Sequence, residues 1–299
     1  NCNRLYYLKS CLESFLECTE DYLNKEIIVV DNASVEQGTD EYLKELREKG
    51  FKVFKQEKRD PSNEYAKALN IIAENATGDF IAPIPADVQF NVKSGWLHEY
   101  VNFFKNNKDS IGCISFDAQR KVRNEKGEYS DPLGADDFKF LYHYNRNPIM
   151  GAANCMLSKE ILEVMYPWDT DNASHAGGAD SETKMLEKIV SFINSKRMQI
   201  YYAAPIIPVS ISIVDEQGDT PRVRGNKRYG QYWEPQGDSD VHYYKVHDFK
   251  DMVEKYKHFK TPVSIEHVAE AVGWDLPIDS EGNWIKGKGA SSFCVDLNS

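Results

Sequence analysis

The sequence lacks the marks of a zinc, disulfide-bonded or membrane-spanning protein. Its six cysteines are scattered and form no C-x-x-C pair, which predicts buried, reduced thiols in a cytoplasmic protein. No stretch approaches the roughly 18 apolar residues that a membrane span needs. No signal peptide is visible, although the first residue is not Met and an earlier segment is left open.

The sequence also has no excess of positively charged residues. The chain of 299 residues carries 36 Lys and Arg against 47 Asp and Glu, which gives a formal net charge of -11. Such a surface repels phosphate backbones, so it argues against non-specific nucleic-acid binding but not against a phosphorylated ligand in a local basic pocket. With 41% hydrophobic residues and no low-complexity tract, the chain can build a sizeable core.

Hydrophobic periodicity predicts alternating helices and strands in the first part of the chain. The β-branched run E-I-I-V-V at residues 26–30 is typical of a buried strand. The alternation predicts a mostly parallel sheet with right-handed crossovers. The predicted elements are helices at residues 4–18, 39–49 and 63–75, and strands at residues 26–30, 51–55 and 80–84.

The later part of the chain is predicted to hold shorter elements and an insertion. Residues 118–146 are polar and charged, which indicates an insertion over the sheet edge, and the composition shifts again from residue 215 onward. Further helices are predicted at residues 92–106, 159–165, 181–196, 249–259 and 264–272. Further strands are predicted at residues 111–116, 200–214 and 291–297. Residues 150–157 are predicted to form either a strand or a tight loop.

A lone carboxylate, Asp87, follows the apolar strand at residues 80–84. Pro83 and Pro85 bracket the exit of this strand, and because proline has no N–H for a ladder, the sheet should end there. Open α/β sheets place their ligand chemistry just past the carboxyl ends of parallel strands. Asp87 is therefore a candidate site residue, with a plain turn aspartate as the alternative.

Four motifs in order resemble the family-2 glycosyltransferases. They are N-R-L-x-x-L from Asn3, E-I-I-V-V-D-N-A-S from Glu26, N-A-T-G-D-F-I from Asn75 and G-G-A-D-S-E from Gly177. The resemblance covers residues 1–205. It implies the GT-A fold, a mixed, mostly parallel α/β sheet flanked by helices, with a Rossmann-like half that binds a nucleotide-diphosphate sugar.

The family's first strand, which lies in the middle of the sheet, is not found before Asn3. The segment S-F-C-V-D-L-N-S at residues 292–299 resembles it. We therefore predict that residues 291–297 fill the central position beside Ile27–Val30, with an ordinary edge strand as the alternative. The predicted domains are residues 1–214 together with 291–299, and an extension of residues 215–290 packed on them as a lid.

The resemblance implies a nucleotide site around the elbow that follows the strand at residues 26–30. Asp31 stands where the family binds the base, and a carboxylate there accepts the uracil N3–H. Asn32 stands at the next position, where an amide can both donate and accept. Asn3, Arg59 and Ala86 complete the predicted nucleotide contacts. The alternative role of Asp31 is to cap the following helix.

Asp87 matches the last position of the family's D-x-D metal motif, in which Pro85 here replaces the first Asp. The resemblance implies that Asp87 binds Mn²⁺ or Mg²⁺, which neutralises the diphosphate leaving group. His242 and His247 are candidate further ligands, with solvent-facing or packing histidines as the alternative.

The segment Arg222–Trp233 is basic and aromatic inside an acidic protein. It resembles a lid that closes on a diphosphate, and its Arg224 and Arg228 are the predicted phosphate contacts. The alternative is a solvated loop.

The resemblance implies that Asp180 is the base that deprotonates the acceptor hydroxyl in an inverting transfer. A helix N-terminus favours the ionised carboxylate, and Glu182 is the second candidate. Ala179 replaces the Glu of the family's E-D motif, and as an alternative Asp180 only caps its helix. Trp168 and His175, in the preceding loop, are candidate acceptor contacts.

These motifs predict an enzyme that moves a sugar from a UDP-sugar, or another nucleotide-diphosphate sugar, to a hydroxyl group of a glycan or other acceptor. One alternative is a non-catalytic sugar-nucleotide or glycan-binding module, which the departures at Pro85 and Ala179 favour. A second is a sugar-phosphate nucleotidyltransferase, which the lack of a G-x-G-x-x-G loop disfavours. We expect neither a nucleic-acid partner nor a stable membrane span.

Overall fold

A computed structural model describes a large part of the chain as a mixed α/β fold of short strands flanked by helices, and the predicted fold class is confirmed at this level. The described residues are 1–60, 63–86, 88–107, 111–116, 141–144, 154–170, 188, 191–192, 195, 201–205, 209–212 and 247–256.

Most elements predicted from the sequence and lying in these ranges are found within a few residues of their expected bounds. The helices are α1 (Leu5–Cys18), α2 (Thr39–Glu48), α3 (Glu64–Asn75), α4 (Trp96–Asn106), α5 (Lys159–Met165) and α6 (Phe249–Tyr256). The strands are β1 (Ile28–Asp31), β2 (Lys52–Lys55), β3 (Phe80–Ile81), β4 (Val88–Phe90), β5 (Val92–Lys93), β6 (Ile111–Ser115), β7 (Leu141–Tyr144), β8 (Cys155–Ser158), β9 (Tyr201–Pro205), β10 (Ser210–Ser212) and β11 (His247–Asp248).

The strands pair in one five-stranded and three two-stranded sheets. The five-stranded sheet has the order β3-β8-β6-β9-β7, and the pairs are β1–β2, β4–β10 and β5–β11. Among the described ladders, β1–β2, β5–β11 and β6–β9 are parallel, whereas the other four are antiparallel. Antiparallel pairing is thus more extensive than in the mostly parallel sheet that we predicted, because β8 runs back between β3 and β6.

Among the described residues, Asn1 pairs with the edge of β1 that faces away from β2. The amine of Asn1 donates to the carbonyl of Val30 at 2.8 Å, and the N–H of Asn32 donates to the carbonyl of Asn1 at 2.8 Å. This places Asn1 opposite Asp31 in the pattern of a parallel ladder. The predicted central strand, residues 291–297, lies outside the described residues and stays a prediction.

Among the described residues, two of the apolar clusters lie against the β1–β2 sheet and the five-stranded sheet. The β1–β2 cluster is formed by buried side chains of α1, β1 and α2, namely Leu8, Leu12, Val29, Tyr42, Leu43 and Leu46. The five-strand cluster joins α3 and α5 to the five-stranded sheet through Ala66, Leu69, Ile81, Cys113, Cys155, Leu157, Ile161, Leu162, Met165 and Trp168. Burial of such side chains is the main force that holds each sheet to its helices.

Helix α4 begins later than predicted, because tertiary pairing takes its expected first residues into a strand. Val92 and Lys93 pair in parallel with β11, and Gly95, with φ of 87°, directly precedes the helix. The ring of Phe249 lies against Gly95 so closely that a Cβ there would meet it at 2.9 Å. The described part of the predicted extension therefore packs against β5 and α4, while the domain boundary at residue 215 stays a prediction.

The cysteines in the described residues agree with the predicted thiols. Cys2, Cys11, Cys18, Cys113 and Cys155 are all free, and all but Cys2 are buried. The sixth, Cys294, lies outside the described residues. None of the helices that the structure describes has the length and apolar character to cross a membrane.

Candidate functional site

The elbow after β1 is built around the carboxylate of Asp31. This side chain is 0% exposed. Its Oδ1 accepts a hydrogen bond from the N–H of Ser34 at 2.8 Å, and its Oδ2 accepts from the Ser34 hydroxyl at 2.6 Å and from Nδ2 of Asn1 at 2.8 Å. Asp31 therefore ties the elbow to the N-terminal loop. It does not cap α2, because that helix follows Gly38 and has no side-chain cap, so the capping alternative is wrong. The predicted contact of Asp31 with a base stays a prediction.

The N-terminal loop is fixed in the same way by Asn3, which is 0% exposed. Its Oδ1 accepts from the N–H of Val35 at 2.7 Å and from the N–H of Glu36 at 3.2 Å, and its own N–H donates to the hydroxyl of Ser34 at 2.8 Å. The structure thus brings Asn3 and Asp31 together through Ser34. Both predicted nucleotide residues turn their polar atoms inward, onto the two loops.

Two amides meet where β1 and β2 end. Gln56 directly follows β2, and its Nε2 donates to Oδ1 of Asn32 at 2.6 Å, while its N–H donates to the carbonyl of Asp31 at 2.9 Å. Sequence reasoning missed Gln56. The signal was present, because Gln56 follows a strand parallel to β1, and the strand-end rule that singled out Asp87 applies to Gln56 equally.

A buried ion pair lies at the same end of the sheet. Nε of Arg59 is 3.3 Å from Oε2 of Glu64, and the two side chains are only 9% and 11% exposed. Burial raises the pKa of the nearby Cys2 thiol to about 11, and the charge of Glu64 adds to this shift while that of Arg59 opposes it. Sγ of Cys2 lies 3.5 Å from the backbone carbonyl of Asn32, and its protonated thiol is not a nucleophile.

The loop that leads to Asp87 passes close to β1. The carbonyl of Pro85 is 3.6 Å from Sγ of Cys11 on α1, and Ala86 packs against the β1–β2 cluster. Ala86 therefore lies beside the β1–β2 cluster, and its contact with the nucleotide stays a prediction. Asp87 itself lies outside the described residues.

Most of the predicted catalytic and phosphate-binding residues also lie outside the described residues. In the described ranges, no group of three or more His, Cys, Asp or Glu side chains could hold a metal ion, so the metal prediction stays with residues beyond them. His247 is described by its backbone, which pairs with Val92 in β11. The predicted residues outside the described ranges are Asp87, His175, Asp180, Glu182, Arg224, Arg228 and His242.

The predicted acceptor contact at Trp168 is wrong. Its side chain is 2% exposed and belongs to the five-strand cluster. Asn70 of α3 holds its backbone from both sides, since Nδ2 donates to the Trp168 carbonyl at 3.0 Å and Oδ1 accepts from the Trp168 N–H at 2.7 Å. The indole is turned into the core and has no surface left for an acceptor.

An open groove of about 650 Å³ runs beside the end of β2. Its wall combines the apolar side chains of Val53, Phe54 and Ile71 with the polar Gln56 and four charged residues, namely Arg47, Lys55, Glu57 and Lys58. The groove is therefore of mixed character, with an excess of positive charge on its wall.

Three solved structures are similar to part of this chain. TarS 1-349 of S. aureus is 17% identical over 69% of this chain and 58% of its own, with a TM-score of 0.48. The mannosyltransferase PcManGT from Pyrobaculum calidifontis, in complex with GDP-Man and Mn²⁺, is 19% identical over 73% and 56%, with a TM-score of 0.47. GalNAc-T7 with UDP, GalNAc and Mn²⁺ is 16% identical over 67% and 40%, with a TM-score of 0.46.

The chain thus spans 58% or less of the length of these structures. No curated protein matches it significantly. The model of the family described as glycosyl transferase family 2 matches residues 1–165, more than half of the chain and the part that contains the elbow, the amides and all of the five-strand cluster except Trp168. The chain therefore belongs to glycosyl transferase family 2.

Proposed function

We propose that this protein transfers a sugar from a nucleotide-diphosphate donor, a UDP-sugar, to a hydroxyl group of a glycan or other acceptor, with inversion. One observation carries the proposal: in a member of this family, the carboxyl ends of two parallel strands gather Asp31, Asn32 and Gln56 around one elbow. Open α/β sheets bind nucleotides at such strand ends. The free cysteines agree with a cytoplasmic reaction.

The nucleotide is held by the end of the β1–β2 sheet. Asp31 and Asn3 fix the elbow and the N-terminal loop, so that Asn32 meets the nucleotide in a constant position. Arg59, braced by its ion pair, and Ala86, packed beside the elbow, border the ligand. A site whose loops are already cross-linked loses little conformational entropy when the donor binds.

The diphosphate lies toward Asp87, with Arg224 and Arg228 of the predicted lid as its cationic contacts. Asp87, assisted by His242, would hold Mn²⁺ or Mg²⁺, which supplies charge neutralisation to the leaving diphosphate. A single carboxylate is compatible with such ions, because they keep several waters and take oxygen ligands from the phosphates.

Asp180 is the base. Its carboxylate accepts the proton of the acceptor hydroxyl as that oxygen bonds to the anomeric carbon, while the bond between this carbon and the diphosphate oxygen breaks. Glu182, two residues further on, is the second carboxylate available for the proton.

The test combines binding and turnover on the full chain. Thermal melts with UDP, GDP, CDP and ADP, with and without Mn²⁺, are followed by assays of nucleotide release from the matching sugar donors. Asp87→Ala should lose the metal-dependent rise of the melting midpoint. Asp180→Asn should keep that rise and lose turnover. Asp251→Asn, an exposed carboxylate on α6, is the matched control and should change neither.

Two outcomes would contradict this proposal in different ways. Absence of any midpoint shift with all four diphosphates would remove the nucleotide site. A shift with UDP but no turnover across a wide panel of donors and acceptors would favour the non-catalytic binding module.

A further inference from the structure

The edge of β2 that faces away from β1 is open. Within the part of the chain that the structure describes, β2 pairs with β1 alone. The N–H groups of Lys52 and Gln56 donate to carbonyls of β1 and the residue before it, at 3.0 Å and 2.9 Å. Because backbone direction alternates along a strand, the N–H and C=O groups of Val53 and Lys55 point outward. An open strand edge is a template on which another extended segment can pair.

The two lysines of β2 do not block this edge. Lysine side chains commonly protect an open edge from pairing with another chain. Here Nζ of Lys52 is held by Oε2 of Glu26 at 2.7 Å, and Nζ of Lys55 is held by Oδ1 of Asp40 at 2.5 Å. Both ammonium groups are thus engaged by carboxylates of the same chain, and the outward backbone groups stay accessible.

The open groove beside β2 spans both faces of this strand. Successive side chains of a strand point to opposite faces. Val53 packs on the β1–β2 cluster, and on this side the groove is lined by Lys55 and by Arg47 of α2, whose Nη2 is 3.5 Å from the Val53 carbonyl. Phe54 points to the other face, where Ile71 of α3 lines the groove. One side of the groove is therefore cationic and the other side is apolar.

We propose that the open edge of β2 binds an extended segment of a partner polypeptide in which acidic and apolar residues alternate. The backbone of this segment pairs with Val53 and Lys55 as an added strand. Because its side chains alternate between two faces, the acidic ones lie near Arg47 and the apolar ones pack against Phe54 and Ile71.

Charge complementarity decides between this occupant and a second copy of the chain. Three cationic residues and one anionic residue line the groove, whereas the whole chain has a net charge of -11. An acidic segment meets opposite charges there, which favours its association. Pairing of β2 with β2 of a second copy would instead bring the two cationic walls together, and like charges on neighbouring strands are destabilising.

Fluorescence anisotropy of labelled synthetic peptides with the full chain tests the proposal. A short peptide of alternating Glu and Val should bind at least about tenfold more tightly than the same residues arranged as a Glu block followed by a Val block, because only alternation matches both sides of the groove. A peptide of alternating Lys and Val should not bind. Hydrogen exchange should show that the alternating Glu and Val peptide protects the amides of Val53 and Lys55.

Single substitutions on the groove wall locate the contacts. Arg47→Ala should weaken binding of the alternating Glu and Val peptide about three- to fivefold, as expected for one partly exposed ion pair. Ile71→Ala should weaken it about threefold through lost apolar contact. Lys44→Ala removes an exposed cation of α2 that does not line the groove, and this matched control should leave the affinity unchanged. Melting midpoints of all variants show whether each is folded.

Three outcomes would overturn the proposal. The first is no change of anisotropy at about 1 mM of the alternating Glu and Val peptide. The second is equal binding of the alternating and block peptides, or protection of amides other than those of Val53 and Lys55. The third is a concentration-dependent dimer in sedimentation with these two amides protected, which would assign the edge to a second copy of this chain.

Discussion

The β1–β2 sheet and the five-stranded sheet differ in the chemistry that surrounds their strands. Around the elbow after β1, the side chains of Asn1, Asn3 and Asp31 cross-link loops about 30 positions apart in sequence, with most of their polar atoms paired. Around β3, β6 and β8, the buried side chains are apolar. The first sheet uses polar bonds to fix the loops at its end, and the second uses close packing to make a rigid scaffold.

Glu26 is a polar link between these two parts. Its Oε1 accepts from the N–H and hydroxyl of Thr77 at 2.5 Å and 2.8 Å, and from the N–H of Gly78 at 3.2 Å, just before β3. Its Oε2 pairs with Nζ of Lys52 in β2 at 2.7 Å. The contrast between the sheets predicts four effects of decreasing size.

The largest effect is expected from removing residues 291–299. If residues 291–297 are the strand beside β1, their loss exposes Val29 and the β1–β2 cluster and should abolish cooperative unfolding, because several apolar side chains lose their burial together. Denaturant unfolding followed by circular dichroism measures this. Removing only residues 298–299 is the control, and an unchanged midpoint in the longer deletion would show that the strand lies elsewhere.

Trp168→Ala tests the five-strand cluster alone. Truncation of this buried indole should destabilise the protein by about 3–5 kcal/mol through lost packing and a cavity. Below the melting temperature its affinity for UDP should equal that of wild type, because the five-strand cluster does not carry the elbow. A change in affinity larger than the change produced by Tyr166→Ala, a more exposed neighbour, would mean that the two parts are coupled.

Asp31→Ala tests the polar part. It leaves the N–H and hydroxyl of Ser34 and the amide of Asn1 without their acceptor, which should destabilise the protein by about 3 kcal/mol. Unlike Trp168→Ala, it should also weaken UDP binding, since the elbow that positions Asn32 is released. Urea unfolding and calorimetry on the same samples separate the two effects, and full UDP affinity in the folded variant would count against this account.

The smallest effect concerns the link at Glu26. Burial alone would raise the pKa of this carboxyl, but hydrogen bonds from Lys52 and Thr77 lower it from 4.5 to about 2. A lowered pKa stabilises the folded state above pH 4.5, and this contribution is lost as the pH falls from 4.5 toward 2. Glu26→Gln should therefore cost about 1 kcal/mol at pH 7 and almost nothing near pH 2. A cost that does not change with pH would rule out the ionised link.

Much of the fold could be predicted because the local pattern and the tertiary environment agree. The run of β-branched residues before Asp31 forms β1, and the helical spacing of Leu8 and Leu12 places both in one cluster. The start of α4 could not be predicted, because Val92 pairs with β11, which comes about 155 residues later in the chain. Local periodicity contains no signal for a partner at that distance.

The candidate site divides in the same way. The resemblance to the family marked Asp31 and Asn32 from the sequence alone, and position at a strand end could have marked Gln56. By contrast, the place of Trp168 in a loop predicted a contact with the acceptor. The structure instead places Trp168 in the core, where Asn70 of α3 binds its backbone. A short motif specifies where along the chain a polar or aromatic group lies, but not the neighbours that compete for it.

The sequence by itself determined the family, the alternation of strands and helices, and the polar character of the strand ends, because each depends on residues close together in the chain. The tertiary structure alone decided which way those groups face. Asp31 turns inward because Ser34 and Asn1 converge on it, and Gln56 turns its amide nitrogen to Asn32 because β2 ends beside β1. Hydrogen bonds between residues far apart in sequence form only when the fold brings the partners together, so no local pattern records them.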